Sequence, residues 1–416
     1  MSDLNPPVEA VDRHAERQVR VALDDSRIVA LVGPRQSGKT TLSRKIARDR
    51  GMGFVTLDDD QFRRFAVGDP DGFVRGLGSA VIDEVQRAPG LVLALKRAVD
   101  EDPRAGRFLI TGSVDLFDAT ISPDSLAGRV ETVELLPFSQ AEIERRGPST
   151  FLEQAFSGDF PSMMQTGFTQ DLVGRVLGGG YPEALSRVNL VRRQAWFSAY
   201  ARALATHDAN EIAEVHKTHA LTRLMNLAAA TSGQTVNLAA LAASLGVDAK
   251  TVDRWLTLLE RMFLLRRVAA WHRNELKRLT KAPKLHFLDS GLLAALRRVS
   301  ADDIAADRTL LGSLLEGFVF SELSKLVAGS EIETVISHVR DREQVEVDFV
   351  LERGAQLVAI EVKASVSLRP ADFQPMKKLR DTIGSDFSCG IILHDGERVQ
   401  RVGDRLFAMP VSQLWS

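Results

Sequence analysis

The sequence predicts a multidomain α/β chain: a parallel-sheet nucleotide-binding domain, a helical middle segment carrying a helix-turn-helix, and a separate C-terminal α/β domain. Three observations predict it. The apolar run Ile28-Val29-Ala30-Leu31-Val32 leads directly into Gly33-Pro34-Arg35-Gln36-Ser37-Gly38-Lys39-Thr40, and helix-forming residues follow at 41–48, which is the strand-loop-helix setting a phosphate loop requires. Further short apolar runs alternate with helical patterns to about residue 140, as in a parallel sheet. Nearer the C-terminal end, a helical stretch bearing a glutamate precedes two strand patterns bearing acidic residues and a lysine. The 416 residues have material for roughly two to four compact cores, and the boundaries read as 1–140, 141–215, 216–284 and 285–416.

In the first domain the glycines let backbone N–H groups close around phosphate oxygens across Gly33 to Thr41. Lys39 reaches the β and γ oxygens, and the Thr40 hydroxyl suits Mg²⁺. A nucleoside triphosphate is the expected ligand. Strands are expected at Gly53-Phe54-Val55-Thr56-Leu57, Ser79-Ala80-Val81-Ile82 and Arg107-Phe108-Leu109-Ile110-Thr111. The middle one ends in Asp83-Glu84, at the sheet edge where ligands bind in open α/β folds. Asp83 is the expected Mg²⁺ partner, and Glu84 the general base that polarises the attacking water, which argues against a purely structural nucleotide. The last strand ends Thr111-Gly112-Ser113, making Ser113 a candidate sensor of the bound phosphate.

Gly33 to Thr40, Val81-Ile82-Asp83-Glu84-Val85-Gln86-Arg87-Ala88-Pro89, Phe108-Leu109-Ile110-Thr111-Gly112-Ser113 and Ser125-Leu126-Ala127-Gly128-Arg129 together resemble a prokaryotic AAA-type P-loop ATPase family that carries a C-terminal domain of unknown function. The resemblance extends over nearly the whole chain. It implies an AAA-like ATPase core, Mg-ATP as ligand and hydrolysis, and it supplies no cellular task. Arg129 is the candidate arginine finger, with Arg107 and Arg87 as competitors, and a finger acting in trans would make the active form a homo-oligomer.

The segment 141–215 reads as a helical lid or linker, interrupted at Gly178-Gly179-Gly180-Tyr181-Pro182-Glu183, a turn or hinge signal. The family shows a similar Gly-Tyr-Pro-Glu element, which favours a lid or hinge near the nucleotide. His207-Asp208 and His216-x-x-His219 lack a third ligand of suitable type and read as surface residues. Beyond Asn237, the pattern of helix, Gly246, then helix with Val252, Trp255, Leu256 and Leu259 at helical spacing reads as a helix-turn-helix. Strands at Phe263-Leu264-Leu265 and Val268-Ala269-Ala270-Trp271 would flank a wing. Twelve Lys or Arg face four Asp or Glu in 216–284, against 53 and 55 in the whole chain. Lys250, Thr251, Arg254, Arg273, Lys277 and Arg278, with Lys281 and Lys284, are therefore the candidate DNA phosphate contacts.

The C-terminal domain carries Glu316 on a helix, Asp348 on the strand Val345-Glu346-Val347-Asp348-Phe349-Val350, and Glu361 and Lys363 on one face of the strand Ala359-Ile360-Glu361-Val362-Lys363. This order resembles the PD-(D/E)XK nuclease core and implies a restriction-endonuclease-like fold. Asp348 and Glu361 would hold Mg²⁺, Glu316 would complete the shell and Lys363 would orient the nucleophile. Such sheets also serve as scaffolds without activity, so cutting and gripping both remain open. Glu346 stands on the Asp348 face, as a substitute ligand or a lysine partner.

The formal charge of −2 gives no global signal for nucleic acid. A lone Cys389 excludes an intramolecular disulfide and fits a reducing compartment, so a cytoplasmic protein is expected. No run is apolar for long enough to span a bilayer, and the N-terminal residues carry no secretory pattern. The combined expectation is a Mg-dependent ATPase that binds and remodels or processes duplex or branched DNA. The alternative is an ATP-controlled assembly or signalling switch whose C-terminal domains bind proteins.

Overall fold

The computed structural model describes residues 11–113, 126, 128–160, 171–208, 218–273, 278, 281–340 and 346–416. Two compact units divide the described residues: those up to 138 with 261–263, and those of 139–260 with 264–416. Lys277, His216, Ser125 and Ala127, named above, lie outside the described residues.

The first unit is built on five parallel strands, β1 (Ile28–Val32), β2 (Gly53–Thr56), β3 (Ala80–Asp83), β4 (Phe108–Gly112) and β5 (Val130–Glu134), in the order β2-β3-β4-β1-β5. Every residue of β1, β3 and β4 is buried, so their sequences are continuous apolar runs and were legible. The strand β5 was not expected, because it is an edge strand whose Val-Glu-Thr-Val-Glu sequence buries only Val133 fully. The helices Ala15–Asp25 and Lys39–Arg50 contribute Val19, Leu23, Leu42 and Ile46 to a core shared with Val29, Leu31, Val81, Leu109 and Val133. The register pairs Ile28 with Phe108 and Val130, so β1, β4 and β5 all point their carboxyl ends toward the phosphate loop.

In the second unit, the helices Leu238–Leu245 and Ala249–Arg261 are separated at Gly246 as expected, with the Asn237 side chain accepting from Ala240 N–H at the first helix start. They are followed by an antiparallel pair, β6 (Leu265–Val268) and β7 (Lys284–Phe287). Two expected strands are corrected here: Phe263 and Leu264 precede β6, which begins at Leu265. The segment Val268-Ala269-Ala270-Trp271 is not a strand of its own: β6 ends at Val268, and Ala269 and Trp271 bond instead to His338, with His338 N–H donating to Ala269 O at 3.0 Å and Trp271 N–H to His338 O at 2.6 Å. The strand β7 includes both Lys284 and Leu285, which pair with Val268 and Arg267 of β6.

The Gly-Tyr-Pro element is part of a packed interior. Gly180 N–H donates to the buried Asp289 carboxylate at 2.7 Å, and Asp289 also caps the helix Ser290–Arg297 through Leu292 N–H at 2.9 Å. Gly179 has φ +62°, and a Cβ there would stand 2.4 Å from Asp289 Oδ1, so this approach requires glycine. Tyr181 is buried among Trp196, Phe197 and Tyr200. Beside further helices, among them Leu190–Ala203 and Thr218–Ala230, this unit holds a long helix, Thr309–Ala328, and a six-stranded sheet formed by β8 (Val335–Arg340), β9 (Glu346–Arg353), β10 (Gln356–Lys363), β11 (Phe387–His394), β12 (Gln400–Gly403) and β13 (Leu406–Pro410). Its order is β12-β13-β11-β10-β9-β8, with β9 antiparallel to β10, and β10, β11 and β13 parallel. The helix Gln374–Ile383 covers it through Met376, Leu379 and Ile383.

Candidate functional site

The phosphate loop joins β1 to the helix Lys39–Arg50. Gly33 has φ +155° and a Cβ there would lie 2.2 Å from Leu135 O, so only glycine lets the loop leave β1 against the neighbouring chain. Gln36 adopts φ +62° at the exposed turn of the loop, and Gly38 φ +98° before the helix begins. Pro34 is buried, Arg35 is half-buried, and Thr41 is exposed. Ser37 is fully buried and its Oγ has no hydrogen-bond partner among the described residues. Lys39 is buried, donating to Gly33 O and Pro34 O at 2.8 Å each. Burial pushes its pKa down to about 8, a shift that Glu84 and Asp83 oppose and Arg35 reinforces.

Because β4 lies between β1 and β3, its C-terminal hydroxyls meet the carboxylates that end β3. Asp83 is buried and its two oxygens accept from three threonines: Thr40 at 3.1 and 3.2 Å, Thr56 at 3.2 Å and Thr111 at 2.6 Å. The Thr111 hydroxyl in turn accepts from Glu84 N–H at 3.1 Å. Glu84 holds φ +59° and ψ +46°, a left-handed conformation that costs a non-glycine residue about 1 kcal/mol and turns the chain away from the strand direction. Gln86 Nε2 donates to Glu84 Oε2 and, at 3.1 Å, to Ser113 Oγ. The structure thus unites Lys39, Thr40, Asp83, Glu84 and Ser113, and adds Thr56, Thr111 and Gln86. The Thr40 hydroxyl and Asp83 carboxylate are adjacent hard oxygen donors, the type Mg²⁺ takes, so these two residues fit the ion. Arg13 supports the loop from behind, donating to Ser37 O and Leu136 O at 2.6 Å with its guanidinium over Phe138.

Arg129 is not brought to the phosphate loop of its own chain. It immediately precedes β5, its O accepting from Ile28 N–H at 3.2 Å, and its guanidinium pairs with Asp100 at 2.6 Å. That is the amino edge of the sheet, a strand length of about 15 Å from the loop. Arg107 occupies the same edge, directed at Ala98 O and Asp102. Arg87 follows β3 on the nucleotide edge and pairs with Asp58 at 2.7 Å.

In the second unit, Glu316 on Thr309–Ala328, Asp348 on β9, and Glu361 and Lys363 on β10 lie close together. Asp348 Oδ2 accepts from Val362 N–H at 2.9 Å, Glu361 Oε2 accepts from Asp348 N–H at 3.4 Å, and Lys363 Nζ reaches Glu361 Oε1 at 2.7 Å. Lys284 stands in their midst, its Nζ 2.9 Å from Glu346, 3.7 Å from Glu316 and 3.7 Å from Asp348. Burial, reinforced by Asp348 and opposed by Lys284, pushes the Glu316 carboxyl up to about 8. Burial, reinforced by Asp348 and opposed by Lys363, pushes Glu361 up to about 7. His286 and His338 are buried beside them, driven down by burial and by Lys284 to about 3 and about 4, and both are therefore neutral imidazoles. Among the described residues no three His, Cys, Asp or Glu side chains form a metal-binding set.

The basic positions divide into two groups. Lys250, Arg254 and Arg273 are exposed, whereas four expected phosphate contacts are engaged within the protein, Lys281 among them through Arg340 O at 3.3 Å. Thr251 Oγ1 donates to Asp248 at 2.8 Å at the helix start. Arg278 forms a two-pronged pair with Glu352 at 2.7 and 2.9 Å, its guanidinium over Trp271. Lys284 is only 2 % exposed. Arg267, also within the basic segment, is bound by Asp253 and Glu260. The local charge excess overstated the free charge because Glu352 and Glu346 come from far along the chain.

Residues 25–144 match the family model described as AAA domain. Residues 169–303 and 311–414 match two others, Domain of unknown function (DUF8612) and Domain of unknown function (DUF4143). Uncharacterized protein Rv2008c of Mycobacterium tuberculosis and Uncharacterized protein Mb2031c of Mycobacterium bovis are each 28% identical over 405 residues, 97% of this chain and 84% of theirs. Among solved structures, the Walker-type ATPase PABY2304 of Pyrococcus abyssi aligns with 71% of this chain and 99% of its own, at 16% identity and a TM-score of 0.44, a likeness too distant to bear on function. No helix of the described residues is long and apolar enough to cross a membrane.

Proposed function

We propose that this chain, whose residues 25–144 are an AAA-type P-loop ATPase domain, hydrolyses Mg-ATP and couples that hydrolysis to holding and remodelling DNA. The observation that carries the hydrolytic part is the chain of contacts from Thr40 and Thr111 through Asp83 to Glu84, Gln86 and Ser113. Lys39 neutralises phosphate charge, Thr40 and Asp83 hold the ion, and Glu84 accepts the proton of the attacking water. The ion supplies charge neutralisation at the phosphate oxygens. Gln86 links Glu84 to the sensor position Ser113, so contact between Ser113 and the phosphate would be felt at the base. A role for Arg129 at the phosphates requires a second copy of the chain, because its own loop lies at the opposite edge of the sheet; Arg87 is the competitor on the nucleotide edge.

The DNA part is supported by exposed Lys250 and Arg254 on the second helix of the helix-turn-helix and by exposed Arg273 beyond β6. The order of helix Thr309–Ala328, β8, β9, β10, helix Gln374–Ile383 and β11, with its carboxylates and Lys363, supports a nuclease-like scaffold that grips DNA. The second reading, an ATP-controlled assembly switch that binds proteins, is favoured by the internal pairing of Arg267, Arg278 and Lys284. Turnover of ATP with and without linear and branched DNA, beside Lys39→Ala, separates the two. DNA stimulation abolished in the variant supports the first, and turnover indifferent to every DNA favours the switch.

A further inference from the structure

The arrangement of Glu316, Asp348, Glu361 and Lys363 has the residue types of a site that holds a divalent ion, yet the interior of the cluster already contains a cation. Lys284 enters it from β7, and its side chain is 2 % exposed. Its ammonium lies 2.9 Å from Glu346 and 3.7 Å from both Glu316 and Asp348. The remaining carboxylate is occupied as well, since Glu361 is paired with Lys363 at 2.7 Å. Mg²⁺ takes about six oxygen ligands in a near-octahedral shell, whereas here the carboxylates of Glu316, Glu346, Asp348 and Glu361 face the ammonium groups of Lys284 and Lys363.

We infer that Lys284 is the resident cation of this cluster, a tethered ammonium standing where a divalent ion would be held, so that the domain engages its partner without a metal. Three observations carry this. The ammonium is central to the cluster and not at its rim, because it faces carboxylates from the helix Thr309–Ala328 and from β9 at once. The Lys284 backbone is held on both sides, by β6 through Val268 and by Thr235 through an isolated bridge, and its side chain is buried. The neighbouring imidazole does not compete for this role: His286 is fully buried and neutral, its Nε2 3.8 Å from Glu316 Oε1, so the positive charge beside that oxygen is the Lys284 ammonium at 3.7 Å. A buried carboxylate cluster without a counter-ion is costly, and Lys284 supplies that counter-ion permanently and independently of solution metal.

The consequence is measurable. In a Thr40→Ala background, which silences the metal position of the phosphate loop, Mn²⁺ is titrated into the full-length, nucleotide-free protein and free Mn²⁺ is followed by electron paramagnetic resonance. With Lys284 present, no stoichiometric Mn²⁺ is taken up by the cluster. Lys284→Ala exposes Glu316, Asp348 and Glu346 to the ion and tightens Mn²⁺ binding by about tenfold or more, and adding Asp348→Asn removes the gain. Lys284→Met keeps the aliphatic stem if alanine fails to fold, and the titration with Lys284 intact stands without either variant. Stoichiometric Mn²⁺ uptake in the presence of Lys284 that Asp348→Asn or Glu361→Gln abolishes overturns the inference, as does the absence of any gain in a folded Lys284 variant. The inference rests on the DNA-holding reading only for the nature of the partner, and no DNA enters the titration. Failure here leaves DNA-stimulated turnover untouched, and failure of DNA stimulation leaves the metal result standing.

Discussion

Replacing Thr111 by valine tests whether hydroxyl groups align the carboxylates of the ATPase site. Valine keeps the branched shape and removes the hydroxyl, which donates to Asp83 Oδ1 at 2.6 Å and accepts from Glu84 N–H at 3.1 Å. Thr111 and Asp83 are both buried, so water does not readily replace either bond. Loss of a hydrogen bond to a charged group costs about 1.5–3 kcal/mol, and the orphaned Glu84 amide adds about 1–3 kcal/mol. Thr40 and Thr56 still hold the carboxylate, so a net loss of about 3 kcal/mol is expected, read as a lower Tm of the ATPase unit. If about 2 kcal/mol of that alignment is expressed in the transition state, kcat falls about thirtyfold. Thr111→Ser keeps the hydroxyl and is expected to recover most of the rate. Phosphate release as a function of ATP concentration gives kcat and KM for both variants. A Thr111→Val enzyme within about twofold of wild type in kcat, or an equal loss in Thr111→Ser, would refute the alignment role.

Three further predictions follow from the same geometry. Glu84→Gln retains ATP binding while turnover drops by about a hundredfold or more, so retained nucleotide after gel filtration checks it; unchanged turnover would remove Glu84 from the mechanism. Lys39 has a pKa of about 8 in the free protein, and the negative charge of a bound phosphate favours its ammonium form. Below that pH the proton is already present, whereas above it binding must supply the proton, so ATP affinity weakens as pH rises. Calorimetry at about pH 8.5 in buffers of different ionisation enthalpy should show uptake of more than about half a proton, lost in Lys39→Ala. For DNA, Lys250→Ala and Arg254→Ala are each expected to flatten the slope of log affinity against log salt by about one. Arg278→Ala is expected to leave that slope in place because its charge is committed to Glu352, and fluorescence anisotropy across a salt series distinguishes these outcomes.

The sequence by itself determined the parts of this protein that are local along the chain. Gly33 to Thr40 form one turn between one strand and one helix, Asp83 and Glu84 end one strand, and Glu361 and Lys363 share one strand face. In each case adjacent backbone geometry places the groups, so spacing is enough. Burial on both faces also made β1, β3 and β4 legible as apolar runs, while the half-exposed edge strand β5 left no such trace. Only the tertiary structure decided which distant groups complete each site. Thr56 and Thr111 reach Asp83 from 27 and 28 residues away, because strand order places β4 and β2 on either side of β3. Lys284 reads as one more basic residue in a basic segment, yet pairing of β6 with β7 places its ammonium among Glu316, Glu346 and Asp348. Arg129 belongs to the family motifs in sequence and lies at the far edge of the sheet in space, since the strand β5 separates it from the carboxyl end. A charge on the sequence has a sign but no partner; the partner, and with it the difference between a free phosphate contact and a buried counter-ion, is fixed only when strands distant in sequence are paired.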